Sequence, residues 1–357
     1  MKRQTPSLYG IKNSNRDYSN KYYWGKNQFN SSFPIALSCY MRDKNIKAIY
    51  ISATDEKKTT ISEISFDDIF GTTLKNEEIR FEFETVFEPY AKYVEDSMEK
   101  IDVVIKEDEG KRSIRALEVK LTTLPDDSTS GKNEEYYGTE IVVRSPTMRY
   151  MALSMVDSCG NLERKNIRNL FAPVCNKVRD WENLGEMNSK KQKIFDALER
   201  FLDCYHHLQQ PLVLQPIWKT IGKSSLLSDD CLDVFVWSNF ALARLFLCNI
   251  KHDGERKIPR PERAALRLAR FLYEWSARET VDQAPIYDGM TFDTLNDKEF
   301  AVSGSVTNPF MVCERLKKPI IKKDEIKNII LGGGQKYLSP ERRFDAIIYF
   351  SNDLFKD

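Results

Sequence analysis

The sequence predicts an α/β protein, with a mixed central sheet flanked by helices and an additional, mainly helical region after it. Three observations carry that expectation. Residues 66–217 read as helix, strand, strand, strand, helix, strand, the order of a layered α/β unit. The 357 residues are 41% hydrophobic, enough to bury a real core. Helical periodicity then dominates residues 230–280. The length suits two domains, or one core with a large insertion. The expected divisions are an N-terminal arm at 1–34, a core at 35–220 and a helical and mixed region at 221–357.

Taken in order, residues 1–34 are polar and aromatic, and the run WGKNQFNSSFP is too aromatic for a solvated tail. Ala48 to Ala53 (AIYISA) is β-like. Phe66 to Val94 reads as helical, because Ile79, Phe83, Val86, Phe87, Tyr90 and Val94 recur at steps of three and four, with Pro89 kinking or dividing the helix. Ile101 to Lys106 and Ile114 to Leu121 are strands, joined as a hairpin by the charged turn Glu107 to Arg112. A further strand, Glu140 to Arg144, precedes short helices at Thr147 to Val156 and Glu163 to Leu170. Residues 188–208 form the best amphipathic helix, with Ile194, Leu198, Phe201, Leu202 and Tyr205 along one side. Leu212 to Ile217 is a candidate core strand. Pro261 to Thr280 is a helix with proline in its first turn, and Asp345 to Phe350 is a final strand.

Composition excludes several function classes. Lys plus Arg total 54 against 53 Asp plus Glu, a net +1, so a strongly basic coat is ruled out and only a local basic cleft remains open. Seven cysteines at wide, irregular spacings form no CxxC pair and no disulfide framework. Three histidines supply zinc sites and His-based triads poorly. The N-terminus has no apolar signal region, and Cys231 to Ile250 is broken by Asp233, Asn239 and Arg244, so no membrane partner is expected. The chain reads as a cytoplasmic protein of a reducing compartment.

The informative constellation is Asp102 with Glu118-Val119-Lys120. In one continuous strand, residues two apart share a face, so Glu118 and Lys120 point together while Leu117, Val119 and Leu121 fill the other side. Hairpin pairing would bring Asp102 beside them. Two carboxylates there suit Mg²⁺, a hard cation with oxygen ligands that keeps several waters. Such a cation stabilises charge on a phosphodiester and acidifies water, and Lys120 would orient that water or stabilise the transition state. The bland reading is a solvated hairpin face with a cross-strand ion pair, and the pattern taken alone is weak. Acid-x-Lys also occurs at Asp55/Lys57, Glu56/Lys58, Glu109/Lys111 and Glu325/Lys327, but only the Glu118/Lys120 copy lies inside an apolar strand that follows another strand bearing an Asp. Glu84, four before Glu88 on the expected helix, is a candidate third metal ligand or an ordinary helix charge.

These residues, together with SLYGIKNSNRDY (7–18), YWGKNQFNSSFP (23–34), KIDVVI (100–105), ALEVKLTTLPDDST (116–129) and TEIVVRSPT (139–147), resemble the HindVP-type Type II restriction endonucleases. The similarity covers about the first 150 residues, and beyond them only the general layout. It implies a restriction-endonuclease-like, PD-(D/E)xK nuclease core. Such an enzyme cuts double-stranded DNA with Mg²⁺ at a short palindrome of the GRCGYC type. Asp102 and Glu118 then match the metal-binding acids and Lys120 the catalytic lysine. One departure is Ile101, where the motif has Pro; that Pro supplies no ligand.

Other residues have two readings each. Arg16, Lys26, Asn27 and Gln28, with Asn15 and Asn30, are of the types that read guanine and adenine, yet they also suit a structural arm packed through Trp24, Phe29 and Phe33. Arg144 is placed for a phosphate contact or for solvent. Asp126 and Asp127 belong to a turn or reach the cleft. Arg256 to Arg270 and Lys317 to Lys327 form a basic channel lining or solvated faces. Gly332-Gly-Gly-Gln-Lys lacks P-loop spacing, and His206-His207 suits a helix C-terminus better than a metal. The expected protein is a homodimeric restriction endonuclease, with a DNA methyltransferase as functional partner. The alternatives are a nuclease of the same core in repair or mobile-element defence without a fixed target, and a non-catalytic DNA-binding protein.

Overall fold

The computed structural model describes residues 11, 13–16, 35, 37–55, 58–120, 145–181, 183–205, 213–216, 218–221, 224–227, 233–236, 240, 243–244, 247, 258 and 260–281. Within them the chain is mixed α/β. Three strands, β3 (Arg80–Thr85), β4 (Ile101–Glu107) and β5 (Arg112–Leu117), form an antiparallel sheet with β4 in the middle. A second antiparallel sheet has the order β2-β1-β7-β10-β6, from β1 (Ala48–Asp55), β2 (Lys58–Ile64), β6 (Val119–Lys120), β7 (Val213–Pro216) and β10 (Asp233–Val236). β8 (Trp218–Ile221) and β9 (Ser224–Leu227) pair as a separate ribbon. Besides a helical stretch at 37–43, the described residues include the helices α1 (Phe66–Phe70), α2 (Ser145–Cys159), α3 (Arg164–Cys175), α4 (Leu184–Cys204) and α5 (Arg260–Arg278). β10 thus joins the sheet of β6 and β7, and α5 packs on α2, α3 and α4.

β4 is buried on both faces, and that organises the centre. Val103, Val104 and Ile105 are wholly buried. On one side Phe81, Phe83 and Leu117 lie in the same sheet, and Phe70 of α1 meets Phe81 edge-on at 5.6 Å. On the other, Val104 belongs to a core built from Met148, Met151 and Met155 of α2, Phe171 of α3, Phe201 of α4 and Trp275 of α5. Two-sided burial is why β4 reads as a nearly unbroken apolar run rather than an alternating one.

Local signals close the short elements. Ser65 caps α1 by accepting from the Asp68 amide at 3.2 Å, and Gly71 ends it with φ of 72°. A side chain at Gly71 would be strained by that backbone and would also meet the Arg115 guanidinium at 2.9 Å. The helix layer is tied by two arginines. Arg164 donates from Nε to the Ser276 carbonyl and from Nη2 to the Ala277 carbonyl, both at 2.9 Å, satisfying the last turn of α5. Arg149 of α2, 1% exposed, pairs with Asp96 and Glu99 and donates to the Ser97 and Val281 carbonyls.

Three expectations are corrected. Phe66 to Val94 is not a helix: after α1 the chain turns, forms β3, then a 3₁₀ segment at Glu88–Tyr93 with Pro89 in its first turn. The pattern RFEFET buries Phe81 and Phe83, a period of two. Reading Phe83 without Phe81 produced the false helical stripe. Residues 233–236, inside the expected helical block, form β10. The strand expected over Ile114 to Leu121 divides at Glu118 into β5 and β6. The strands expected at Glu140 to Arg144 and Asp345 to Phe350 lie outside the described residues.

Arg149→Ala is expected to cost about 3–5 kcal/mol, because two carboxylates and two carbonyls lose a buried cation. Denaturant unfolding measures it: a lower midpoint with an unchanged slope is the expected result.

Candidate active site

The register of the three-stranded sheet sets the geometry. Val103 faces Leu117 and Val104 faces Ala116; Asp102 and Glu118 lie one residue beyond the Val103–Leu117 pair, where β5 ends. On the other flank Phe83 faces Val103 and Thr85 faces Ile101, so Glu84 falls opposite Asp102. Residues opposite one another in an antiparallel sheet project to the same face, with Cβ atoms about 4.5–5.5 Å apart. Asp102 and Glu118 are both partly exposed, whereas their strand neighbours Ile101, Val103 and Leu117 are buried. Glu84 departs from the regular row. Its φ of 49° breaks the extended backbone, and its exposed carboxylate accepts from Arg16 at 3.2 Å.

Glu118 is also where the chain changes sheets. Leu117 ends β5, and Val119 and Lys120 form β6, where Lys120 lies opposite Phe235 of β10. The shared-face rule for residues two apart holds only in a continuous strand, so it does not govern Glu118 and Lys120 here. β4 and β5 pair as expected up to Val103 and Leu117, the neighbours of Asp102 and Glu118, and Lys120 belongs to the adjoining sheet.

Further along the same face of β4 lies a buried cation that sequence reasoning missed. The Lys106 ammonium, with its side chain 8% exposed, contacts Glu82 at 3.0 Å and Glu88 at 2.8 Å, and the Ser113 hydroxyl donates to Glu88 at 2.6 Å. Burial alone would push the Lys106 pKa down, but the two carboxylates raise it above the ordinary lysine value. Burial likewise opposes ionisation of Glu88, yet hydrogen bonds from Lys106 and Ser113 hold it below the ordinary range. The available signal was the spacing: Lys106 lies four residues after Asp102 on one strand, hence on the same face. Burial pushes the phenol of Tyr150 in α2 well above the ordinary tyrosine value, and Tyr90, Glu118 and Glu88 add to that shift.

The arm docks on the free edge of β3. Ser14 bridges Phe81 in parallel, and Asn15 exchanges side-chain bonds with the Phe83 backbone, donating at 3.0 Å and accepting at 2.9 Å. Arg16 lies over the Phe83 ring at 4.2 Å while pairing with Glu84. Asn15 therefore has the structural role. Lys26, Asn27, Gln28, Asn30, Arg144, Asp126 and Asp127 lie outside the described residues, as do His206-His207, Lys317 to Lys327 and Gly332 to Lys336. Arg263 and its partner in sequence Glu262 are buried, and Arg270 sits over Trp181 at 5.4 Å, so α5 does not present these arginines as a solvated face. Among the described residues, no group of three or more His, Cys, Asp or Glu side chains is arranged to hold a metal, and no helix is long and apolar enough to cross a membrane.

Comparison with known families defines the class of enzyme: the HindVP restriction endonuclease model matches residues 24–355. The chain belongs to the HindVP restriction endonuclease family and is a site-specific deoxyribonuclease. It is 40% identical over 355 residues to the Type II restriction enzyme HgiDI of Herpetosiphon aurantiacus, covering 99% of this chain and 98% of that one. It is 38% identical over 355 residues to the probable Type II restriction enzyme HindVP of Haemophilus influenzae, covering 98% and 95%. No solved structure matches the chain.

The Lys106 cluster gives a signed pH prediction. Glu88, lowered, adds stability above the ordinary carboxylate value of 4.5, lost as pH falls through its folded value. Lys106, raised, adds stability below 10.5, lost as pH rises through its folded value. The stability gap between the wild type and Lys106→Met should therefore be widest between those limits and narrow outside them. Thermal melts across the pH range measure it.

Proposed function

We propose that this restriction endonuclease hydrolyses phosphodiester bonds of double-stranded DNA at a short palindromic site of the GRCGYC type, using Mg²⁺ and a PD-(D/E)xK, restriction-endonuclease-like core. The observation that supports the reading is the antiparallel pairing of β4 with β5 up to Val103 and Leu117, which leaves the partly exposed Asp102 and Glu118 one residue beyond the last pair. Family membership and the two Type II relatives support the reaction class.

Two opposed carboxylates fit Mg²⁺, which is bound by one or two protein carboxylates and retains waters for the rest of its shell. Asp102 and Glu118 would hold it, with Glu84 as a weaker third oxygen donor once released from Arg16. When bound, the cation supplies charge stabilisation at the scissile phosphate and makes water a better nucleophile. The protein's own residues do the rest. The buried strand layer of β4 and β5 would support the two acids from Val103 and Leu117. Lys120 contributes a compact ammonium that orients the attacking water and offsets negative charge on the phosphate. Attack in line with the leaving oxygen leaves 5′-phosphate and 3′-hydroxyl ends.

Arg16, Lys26, Asn27, Gln28 and Arg144 are proposed DNA contacts, with the arm (1–34) beside the catalytic core (35–220) and the remaining region (221–357) serving DNA binding or dimerisation. A palindromic target favours a two-fold homodimer in which each subunit reads one half-site and cuts one strand. A methyltransferase of matching specificity would protect the host DNA.

Asp102→Ala, Glu118→Ala and Lys120→Ala should each abolish plasmid cleavage in Mg²⁺ while the circular dichroism spectrum stays that of the wild type. Cutting retained by a folded Glu118→Ala protein overturns the site. Sequencing the ends tests the target, since one repeated sequence supports restriction and scattered ends support a nuclease without a fixed site. For the DNA contacts, Arg144→Ala should weaken binding to all sequences alike and lower the slope of log affinity against log salt by about 1. Loss confined to the cognate site would make Arg144 a base reader instead.

A further inference from the structure

Glu84 sits in a backbone conformation that its strand does not call for. Of the non-glycine residues with positive φ among the described residues, it alone lies inside a strand, at 49°. The register is continuous around it, with Phe83 opposite Val103 and Thr85 opposite Ile101, yet the Glu84–Asp102 step between them makes no ladder pair. A side chain in the left-handed region is unfavourable; such outliers persist only where neighbouring structure holds them, and they cluster at functional sites. Here the neighbour is Arg16, whose Nη2 donates to the Glu84 carboxylate at 3.2 Å at the protein surface.

The arm does not need that bond to stay docked. The Phe81 amide donates to the Asn13 carbonyl at 3.0 Å, and Arg80 donates to the Asn13 side chain at 3.0 Å. Asn15 both donates to and accepts from the Phe83 backbone, and the Arg16 guanidinium rests on the Phe83 ring. An exposed ion pair adds little stability of its own, so this one can open while the arm remains in place. Its two halves have other uses. A guanidinium binds a phosphate bidentately. A carboxylate one strand away from Asp102 suits a divalent cation.

We propose that the Arg16–Glu84 pair is a latch that links DNA binding to cation binding. In the DNA-free protein Arg16 draws the Glu84 carboxylate away from the row it would share with Asp102. A DNA phosphate takes the guanidinium, Glu84 returns to extended backbone, and its carboxylate turns towards the cation. This regulation rests on Asp102 and Glu118 being the cation-binding acids. Linkage then requires each ligand to strengthen the binding of the other by the same factor.

The test is a double-mutant cycle of Arg16→Met and Glu84→Gln in the full chain, with Glu118→Gln beside it. Two affinities are read, neither of which involves cleavage. Mn²⁺ binding without DNA is followed by electron paramagnetic resonance. Binding of a short duplex carrying the GRCGYC sequence is followed by fluorescence anisotropy in the presence of chelator. Arg16→Met should bind Mn²⁺ ~3-fold more tightly than wild type, the factor an exposed ion pair supplies. Glu84→Gln should bind the duplex more tightly by about the same factor, because its arginine is released. Each gain should vanish when the other substitution is already present. A gain that persists in the double variant is a general charge effect and overturns the latch. Wild-type affinities in both single variants, alongside lost Mn²⁺ binding in Glu118→Gln, overturn the latch alone. Unchanged Mn²⁺ binding in Glu118→Gln overturns the underlying site as well. If Arg16→Met does not fold, Glu84→Gln decides by itself, since an unchanged duplex affinity there is enough to overturn the latch.

Discussion

The structure depends on one strand that is covered on both faces. Ile101 to Glu107 lies between the α1 side, where Phe70, Phe81 and Phe83 gather, and a helical layer led by α2. Fully burying a valine or isoleucine contributes roughly 1.5–3 kcal/mol, so three such neighbours in a row commit the strand to the centre. The same burial dictates what its polar residues must do. Lys106 is matched by Glu82 and Glu88, and Glu107 by Thr72 and Arg112. Asp102 sits near the start of the strand, where cover thins and a charge can meet water or a cation.

The proposed activity on a phosphate backbone would use that arrangement. A rigid apolar layer holds carboxylates in a fixed relation more accurately than a loop does, and an edge open to solvent admits the substrate. Glu118 illustrates the compromise. It is held on one side by the register of β5 with β4, but the chain leaves that ladder at this residue to enter the other sheet. Its backbone therefore joins two sheets.

Much of the centre was legible in the sequence. The hairpin of β4 and β5 follows from two apolar runs around a charged turn, while the register shift between Ile105 and Lys106 is not visible in them. α4 was legible because Ile194, Leu198, Phe201 and Leu202 are buried at helical spacing. β3 was misread because Ile79, Phe83 and Phe87 also fit a helical step, and only the two-residue alternation of Phe81 and Phe83 distinguishes them. The break at Glu118 was hidden, because VKL continues the apolar alternation of RALE and the change of partner from β4 to β10 depends on residues over a hundred positions away. The Lys106 cluster was missed for a related reason: its acids come from β3 and the 3₁₀ segment, both submerged in the supposed helix. Arg16 has the chemistry of a DNA contact, yet Glu84 and Phe83 engage it within the chain.

The central claim is that a divalent cation is held between the strand start at Asp102 and the strand end at Glu118. Fe²⁺ substituted for Mg²⁺, with added hydrogen peroxide and ascorbate, reduces the peroxide to hydroxyl radicals that cut the polypeptide next to the bound ion. Fragments ending near both residues, suppressed by excess Mg²⁺, are the predicted result. Cuts confined to other segments, with none near either acid, would contradict it.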